Sequence, residues 1–326
     1  MIDLEKLKTG DRRTLAKAIT LIESSRENDQ IHARELLNKV ISLPTKSFRI
    51  GITGSPGVGK STFIEHFGQY LVSQKHKVAV LAIDPSSPTS GGSILGDKTR
   101  MEKLANEENA FIRPTPASGA LGGVAQKTRE TILLCEAAGY DYVLVETVGV
   151  GQSEYEVANM VDFFMLLILP NGGDELQGIK KGILELADSI VINKADGDSL
   201  NLAKQTQAQY QSALQITTHS SFWKTEVILN SSLNANGFDE LYKMLNSFKS
   251  TSEQNHEWDK KRQEQNVNWF NSLLKEIILR KITSNNFTNN KLIELNHEVL
   301  MNTKTPLDAA YEIADLLELS HGKSRK

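Results

Sequence analysis

The sequence predicts an α/β fold, in which a mostly parallel sheet is covered by helices on both faces and helical segments are added at both ends. Three observations lead to this prediction. Short, continuously apolar runs alternate with helix-length stretches between residues 46 and 249. A glycine-rich loop joins the first apolar run to the first helix of this region. The flanking segments, residues 1–45 and 250–326, carry apolar residues at helical spacing.

The composition argues against several classes of protein. The formal net charge is only −3, so there is no electrostatic case for nucleic acid or an anionic membrane as the main partner. The single cysteine, Cys135, excludes an internal disulfide framework. The first ten residues carry charges where a signal peptide needs an apolar core, and the strongly apolar run 163–169 is too short to cross a bilayer. We therefore expect a cytoplasmic protein.

Residues 1–45 predict an N-terminal helical extension. Apolar residues recur at helical spacing from Leu15 to Ile22 and again from Ala33 to Ile41. The pair Gly10-Asp11 is a plausible start for the first of these helices, and Pro44 ends the second.

Residues 46–249 predict the α/β domain itself. The apolar runs predict strands at Phe48–Thr53, Lys77–Asp84, Tyr142–Thr147, Phe163–Pro170, Ser189–Asn193 and Thr225–Asn230. The stretches between them predict helices at Lys60–Ser73, Val124–Ala138, Gln177–Ala187, Leu200–Ala213 and Phe238–Phe248. Strands alternating with helices in this way are typical of a parallel sheet.

Residues 250–326 predict a C-terminal helical region. Ser250–Glu253 is a polar stretch that we interpret as a break. A long amphipathic helix follows, with Trp258, Trp269 and Phe270 at helical spacing, and two shorter helices follow it. A long amphipathic helix outside the main domain needs a surface on which to bury its apolar stripe, which favours a dimer interface.

The glycine-rich loop is a complete phosphate-binding motif, G-x-x-x-x-G-K-[ST]. It consists of Gly54, Ser55, Pro56, Gly57, Val58, Gly59, Lys60 and Ser61. Its glycines let backbone N–H groups turn toward phosphate oxygens, and the following helix adds the positive end of its dipole. We expect Lys60 to reach the β- and γ-phosphates, Ser61 to bind Mg²⁺ and Thr62 to contact the α-phosphate. The motif predicts a P-loop NTPase but does not select the base.

A second motif selects guanine. Asn193, Lys194 and Asp196 form N-K-x-D directly after an apolar run. The Asp196 carboxylate can accept from guanine N1–H and from the 2-amino group, whereas adenine leaves it unpaired. Asn193 would hold the loop, and the Lys194 stem would lie across the base. A weaker guanine-supporting loop is formed by Ser231, Ser232 and Leu233. The expected ligands are therefore GTP and GDP.

Acidic residues at strand ends predict a metal site beside the phosphate loop. Glu146 ends an apolar run and begins Glu-Thr-Val-Gly, so its carboxylate suits Mg²⁺, and the Gly149 N–H would approach the γ-phosphate. Asp84 ends another run, and Asp97 lies in the glycine-rich segment that follows. From spacing alone, Asp84 and Asp97 are equally compatible with helix caps.

These motifs together resemble the MeaB/ArgK (MMAA-like) family of P-loop GTPases. The matching strings are GSPGVGKST, IDPSSPTSGGSILGDKTRM, VETVGVGQSE, GGDELQGIKKGILELAD and NKAD, which cover most of residues 48–235. The resemblance implies a GTPase that chaperones an adenosylcobalamin-dependent acyl-CoA mutase, chiefly methylmalonyl-CoA mutase. Such a protein gates cofactor loading and protects the mutase from inactivation.

The resemblance also implies roles for individual residues. Lys60, Asp84, Asp97 and Glu146 would form the catalytic set, and Ser61 would join the three acids around Mg²⁺. Asp174, Gln177 and Lys180 would lie in the loop that couples the nucleotide to the mutase. The family is typically homodimeric through its C-terminal helices. Because this chain has no D-x-H-x-x-G motif, cobalamin would be held by the partner.

Two other functions stay open at this point. A GTP-dependent kinase linked to transport of basic amino acids is compatible with the phosphate loop, although the guanine motif argues against it because most such kinases use ATP. A metal-insertion GTPase needs clustered cysteine and histidine, whereas the seven histidines here are scattered along the chain.

Overall fold

The structure, a computed structural model, describes residues 2–84, 101–116, 121–147, 153–171, 181–215 and 222–316. Its strands are β1 (Phe48–Gly54), β2 (Val78–Asp84), β3 (Ala110–Pro116), β4 (Tyr142–Glu146), β5 (Phe163–Ile168), β6 (Ser189–Ile192) and β7 (Glu226–Leu229). Within the described residues they form one sheet in the order β3-β2-β4-β1-β5-β6-β7, and every neighbouring pair is parallel. The predicted parallel α/β sheet is confirmed.

Helices cover both faces of this sheet. In the described residues they are α1 (Leu4–Lys8), α2 (Arg12–Glu23), α3 (Glu27–Val40), α4 (Lys60–Ser73), α5 (Glu102–Asn106), α6 (Leu121–Ala137), α7 (Ser153–Ala158), α8 (Lys181–Leu186), α9 (Leu200–Leu214), α10 (Phe238–Gln254), α11 (Glu257–Ser284), α12 (Asn286–Leu300) and α13 (Pro306–Leu316). The predicted start at Asp11 is confirmed, because its carboxylate caps α2 by accepting from the Thr14 N–H at 2.7 Å.

The two faces of the sheet carry two separate apolar cores. Alternate side chains of the strands point to opposite faces. One core joins the sheet to α1–α3 and α6–α9, and the other joins it to α4, α5 and α10. In β1, Ile50 and Ile52 belong to the second core. Gly51 lies between them, where a Cβ would come within 2.9 Å of Val157 on α7. Helix α7 therefore packs directly against the backbone of β1.

The sequence pattern did not predict strand β3. Its sequence is Ala-Phe-Ile-Arg-Pro-Thr-Pro, and two prolines in seven residues argue against an interior strand. The strand lies at the edge of the sheet, where it pairs with β2 alone among the described strands. Proline is tolerated there because the missing N–H faces no partner strand.

The predicted break at Ser250–Glu253 is wrong. Helix α10 continues through these polar residues to Gln254, and Ser252 is buried together with the apolar residues of the same helix. The chain turns instead at Asn255 and His256, where His256 adopts a left-handed backbone conformation with φ +58°. Packing of one helix face against the sheet overrides the polar composition of the last turn.

Contacts divide the chain into two compact units, Met1–Arg262 and Gln263–Lys326. The first unit contains the sheet. The second has a small core of its own, in which Ile282, Leu295, Ala309 and Ile313 are buried. The domain boundaries expected near residues 45 and 249 stay predictions. In the part of the chain that the structure describes, no helix is long and apolar enough to cross a membrane.

A buried ion-pair cluster in the first unit joins the start of α11 to the amino ends of β1 and β5. Arg262 donates two hydrogen bonds of 2.7 Å to the Asp162 carboxylate and one of 2.7 Å to the Ser47 carbonyl. Arg49 donates twice, at 2.7 Å, to Glu136. Burial raises the pKa of Asp162, but the hydrogen bonds and charge of Arg262 outweigh it, so the pKa lies below its ordinary value.

Candidate nucleotide site

The parallel sheet brings the sequence motifs to one edge. The carboxyl ends of parallel strands lie on the same side of a sheet, which is where α/β proteins bind their ligands. The phosphate loop follows β1, and Glu146 ends the neighbouring strand β4, where it is in register with Ile52. Asn193–Asp196 follows β6, and Ser231 follows β7. Motifs separated by more than 100 residues in the sequence thus share one site.

The loop between β1 and α4 has the backbone shape that a phosphate needs. Gly59 precedes α4 with φ +93°, a left-handed conformation that favours glycine. A Cβ at Gly59 would come 3.0 Å from the Asn193 side-chain nitrogen, so the loop and the base motif are in close contact. Because glycine has no side chain with which to cap α4, the first N–H groups of the helix are available to an anion.

The Lys60 ammonium points back into the loop. Its Nζ donates to the Gly54 carbonyl at 2.7 Å and to the Ser55 carbonyl at 3.2 Å. Burial lowers the pKa of Lys60, and the charges of Glu146 and Glu154 oppose this effect. A partly buried cation at the N-terminus of a helix is a favourable site for the phosphates of a nucleotide.

Ser61 and Glu146 meet beside Lys60. The Ser61 hydroxyl donates to Glu146 Oε1 at 3.1 Å, and Glu146 is buried. A hydroxyl and a carboxylate oxygen next to a phosphate loop are the hard oxygen ligands that Mg²⁺ prefers. The donor set therefore fits the predicted metal. Among the described side chains, no three histidine, cysteine or acidic residues lie close enough to hold a metal by themselves.

The base motif is attached to the phosphate loop by two side chains. Asn193 is buried and donates to the Val58 carbonyl at 2.9 Å. Lys194 adopts φ +59° and donates to the Gly57 carbonyl at 2.9 Å. These contacts fix the distance between the part of the site that would hold phosphates and the part that would hold a base.

Asp196 is held by the loop that follows β7. The Ser231 hydroxyl donates to Asp196 Oδ2, and the Ser232 hydroxyl donates to Asn193 Oδ1 at 3.0 Å. Ser231 and Ser232 are buried, whereas Leu233 is 77% exposed. The two serines thus hold the side chains of Asp196 and Asn193 in place through hydrogen bonds.

Several predicted residues lie outside the described part of the chain. They are Asp97, Gly149, Asp174, Gln177 and Lys180. For Asp84 the structure describes only the backbone, as the last residue of β2. The roles expected for these six residues stay predictions.

One acidic residue near the site was not predicted by the sequence motifs. Glu154 lies in the first turn of α7, is only 6% exposed, and acts electrostatically on Lys60. It was part of a matching string, but nothing in its spacing from the phosphate loop predicts that it lies near Lys60. Its effect on Lys60 depends on the tertiary structure, in which α7 packs on β1 through Val157 and Gly51.

A family model described as methylmalonyl Co-A mutase-associated GTPase MeaB matches residues 15–287. The chain is 44% identical to GTPase ArgK of Escherichia coli, over 98% of this chain and 96% of that protein. It is 46% identical to the mouse protein named methylmalonic aciduria type A homolog, mitochondrial, over 92% of this chain and 75% of that protein.

A solved structure has the same fold. The crystal structure described as a LAO/AO transport system kinase matches with a TM-score of 0.78 and 38% sequence identity. The match covers 97% of this chain and 96% of that one.

Proposed function

The chain belongs to the MeaB family of methylmalonyl Co-A mutase-associated GTPases, and we propose that it uses GTP binding and hydrolysis to chaperone an adenosylcobalamin-dependent acyl-CoA mutase. The single observation that carries the proposal is the family match over residues 15–287. The proposed client is methylmalonyl-CoA mutase. The proposed work is to gate the loading of its cofactor and to protect it from inactivation, while the mutase itself holds the cobalamin.

The site supports a nucleotide switch. Attack of water on a γ-phosphate needs charge neutralisation more than covalent help. Lys60 would supply a fixed positive charge at the β- and γ-phosphates, and the N–H groups at the start of α4 would bind their oxygens. Asn193, Lys194 and Asp196 would hold the guanine, with Ser231 and Ser232 keeping Asp196 and Asn193 in place.

Mg²⁺ is the proposed cofactor. Ser61 and Glu146 would hold it, together with Asp84 and Asp97 as the resemblance implies. When bound, the ion neutralises charge on the phosphates. Independently of the ion, the hydrogen bond that Ser61 donates holds the Glu146 carboxylate beside the phosphate loop.

The experiment that tests the chaperone role uses purified mutase. The rate of GTP hydrolysis is measured with and without methylmalonyl-CoA mutase, and binding is compared in GDP and in a non-hydrolysable GTP analogue. We expect faster hydrolysis with the mutase and an affinity that depends on the nucleotide. An unchanged rate together with no binding in either nucleotide would rule out the mutase as the client. If the mutase does accelerate hydrolysis, substitutions at Asp174, Gln177 and Lys180 test the proposed coupling loop.

A second candidate function comes from the solved relative described as a LAO/AO transport system kinase. Under this alternative, the γ-phosphate of GTP would pass to a basic amino acid or to a protein. GTP labelled at the γ-phosphate separates the two candidates. If the chain hydrolyses GTP, all of the label should appear in inorganic phosphate. Label on arginine or on protein would favour the kinase.

We also propose a homodimer formed through the second unit. Several large apolar side chains of this unit are exposed, among them Phe270, Phe287, Leu300, Leu307 and Tyr311. Exposed apolar side chains at this density are typical of an interface. Light scattering on the full chain is expected to give the mass of two chains, and a Phe270→Glu, Phe287→Glu double variant should shift it toward one. A monomer at all concentrations would contradict this proposal.

A further inference from the structure

Glu154 is an acidic residue that the fold buries. Helix α7 carries two acids in its first turn, Glu154 and Glu156. Glu156 is exposed, as a surface glutamate normally is, whereas Glu154 is 6% exposed. Removing a carboxylate from water is costly, so a buried glutamate needs a compensating interaction.

The course of α7 directs Glu154 toward the phosphate loop. Helix α7 connects the carboxyl end of β4 to the amino end of β5, so it runs opposite to the strands. Val157 packs on β1 at Gly51. Glu154 is three residues earlier and therefore lies on the same helix face, one turn nearer the carboxyl end of β1. Lys60 and the loop carbonyls to which it donates lie at that end.

The charge of Glu154 reaches the Lys60 ammonium. Burial lowers the pKa of Lys60, and the two carboxylates that counter it are Glu146 and then Glu154. Glu146 already accepts from the Ser61 hydroxyl and faces the proposed metal. Its charge would be shared with Mg²⁺ when nucleotide is bound. Glu154, which belongs to a different helix and has no role in the proposed metal site, would keep acting on Lys60.

We propose that Glu154 is a positioning residue for GTP hydrolysis, whose buried carboxylate acts through its charge, together with the Gly54 and Ser55 carbonyls that accept from Lys60, to favour the ammonium position that meets the β- and γ-phosphates. A fixed charge in a buried site costs no reorganisation when the reaction occurs. The same negative charge repels the phosphates of the nucleotide. Glu154 therefore favours hydrolysis and disfavours binding, a combination that a purely structural residue would not produce.

The test separates binding from hydrolysis. The variants are Glu154→Gln, which removes the charge and keeps the shape, and Glu154→Asp, which keeps the charge. Glu156→Gln is the matched control on the exposed side of the same helix. For each variant, GTP and GDP affinities are measured by calorimetry, hydrolysis by single turnover, and folding by thermal denaturation. The proposal rests on the nucleotide site proposed above and does not depend on the mutase.

For Glu154→Gln we expect hydrolysis to be slower by about tenfold or more, while GTP and GDP bind as tightly as before or up to about tenfold more tightly. Glu154→Asp should recover part of the rate, and Glu156→Gln should match the unchanged chain. If Glu154→Gln does not fold, Glu154→Asp decides, with slower hydrolysis and unchanged binding as the supporting result.

Two results would overturn the proposal. One is wild-type hydrolysis in Glu154→Gln, or in Glu154→Asp where only that variant folds. The other is a parallel loss of binding, hydrolysis and thermal stability, which would make Glu154 a structural residue. GTP binding by the unchanged chain is measured first. Its absence would remove the nucleotide site and this proposal together, whereas normal binding with normal hydrolysis in the variants would remove this proposal alone.

Discussion

Replacing Asp196 by asparagine should abolish the preference for guanine. In the structure, Ser231 accepts the Asn234 N–H at 3.3 Å and donates to Asp196 Oδ2. An asparagine that keeps this bond places its carbonyl oxygen at Ser231 and its NH₂ group toward the base. That NH₂ group would then face the N1–H and 2-amino groups of guanine. Because all of these groups are donors, no hydrogen bond could form between them.

The expected magnitude follows from the bonds that are lost. Each hydrogen bond to a charged acceptor is worth about 1.5–3 kcal/mol. Losing two therefore weakens GDP binding by about 3 kcal/mol or more, which is ~100-fold or more in Kd. Xanthine carries an oxygen in place of the 2-amino group and can accept from the new NH₂ group, so xanthosine diphosphate should gain affinity relative to GDP.

Calorimetry with GDP, xanthosine diphosphate and ADP, at one salt and Mg²⁺ concentration, measures this change. Asp198→Asn is the matched control, because Asp198 is an exposed carboxylate two residues away in the short 3₁₀ turn Gly197–Ser199. The control should bind like the unchanged chain. GDP affinity that stays within a few-fold in Asp196→Asn, or an equal loss in Asp198→Asn, would refute the placement of the base.

Three further predictions concern the phosphate loop and the buried ion pair. Lys60→Ala should remove most triphosphate affinity and hydrolysis, as measured by calorimetry and phosphate release. Arg262→Met should lower the free energy of unfolding in urea by about 3–5 kcal/mol, because it removes both guanidinium hydrogen bonds to the buried Asp162 carboxylate and leaves it, among the described residues, only the Arg49 backbone N–H as a donor. Arg280→Met, which breaks an exposed pair with Glu276, should cost less than about 1 kcal/mol. The pKa of Asp162 is lowered from 3.8, so its stabilisation is complete above that pH and is lost as pH falls through the lower folded-state pKa. Urea midpoints measured from pH 7 down to pH 2 should show this loss, and Asp162→Asn should remove that part of it.

A specific experimental result would contradict each of these three predictions. Unchanged hydrolysis in Lys60→Ala would mean that the phosphates bind elsewhere. Equal losses in Arg262→Met and Arg280→Met would mean that burial of the Asp162 pair adds nothing to its strength. A pH profile that is the same with and without the Asp162 carboxylate would show that its pKa does not differ between the folded and unfolded states.

Much of the fold could be predicted because the signals are local. A continuously apolar strand such as Phe163–Ile168 is removed from water only when both of its faces are covered. This requirement predicts a parallel sheet with helices on each side. Strand β3 was not predicted because its prolines are tolerated only at the edge of a sheet, and the sequence does not reveal that position. The polar end of α10 was not predicted as helix because burial of one helix face outweighs the local composition.

The sequence by itself determined which chemical groups the site contains. The spacing of Gly54, Gly59, Lys60 and Ser61 specifies a loop for phosphate, and N-K-x-D specifies a carboxylate for guanine, because each motif is short enough to act as one local unit. Only the tertiary structure decided how these units meet. The order of the strands places Asn193 against Val58, and the course of α7 over Gly51 buries Glu154 near Lys60. Such contacts join residues that are far apart in the chain, so they arise from packing and leave no pattern in the local sequence.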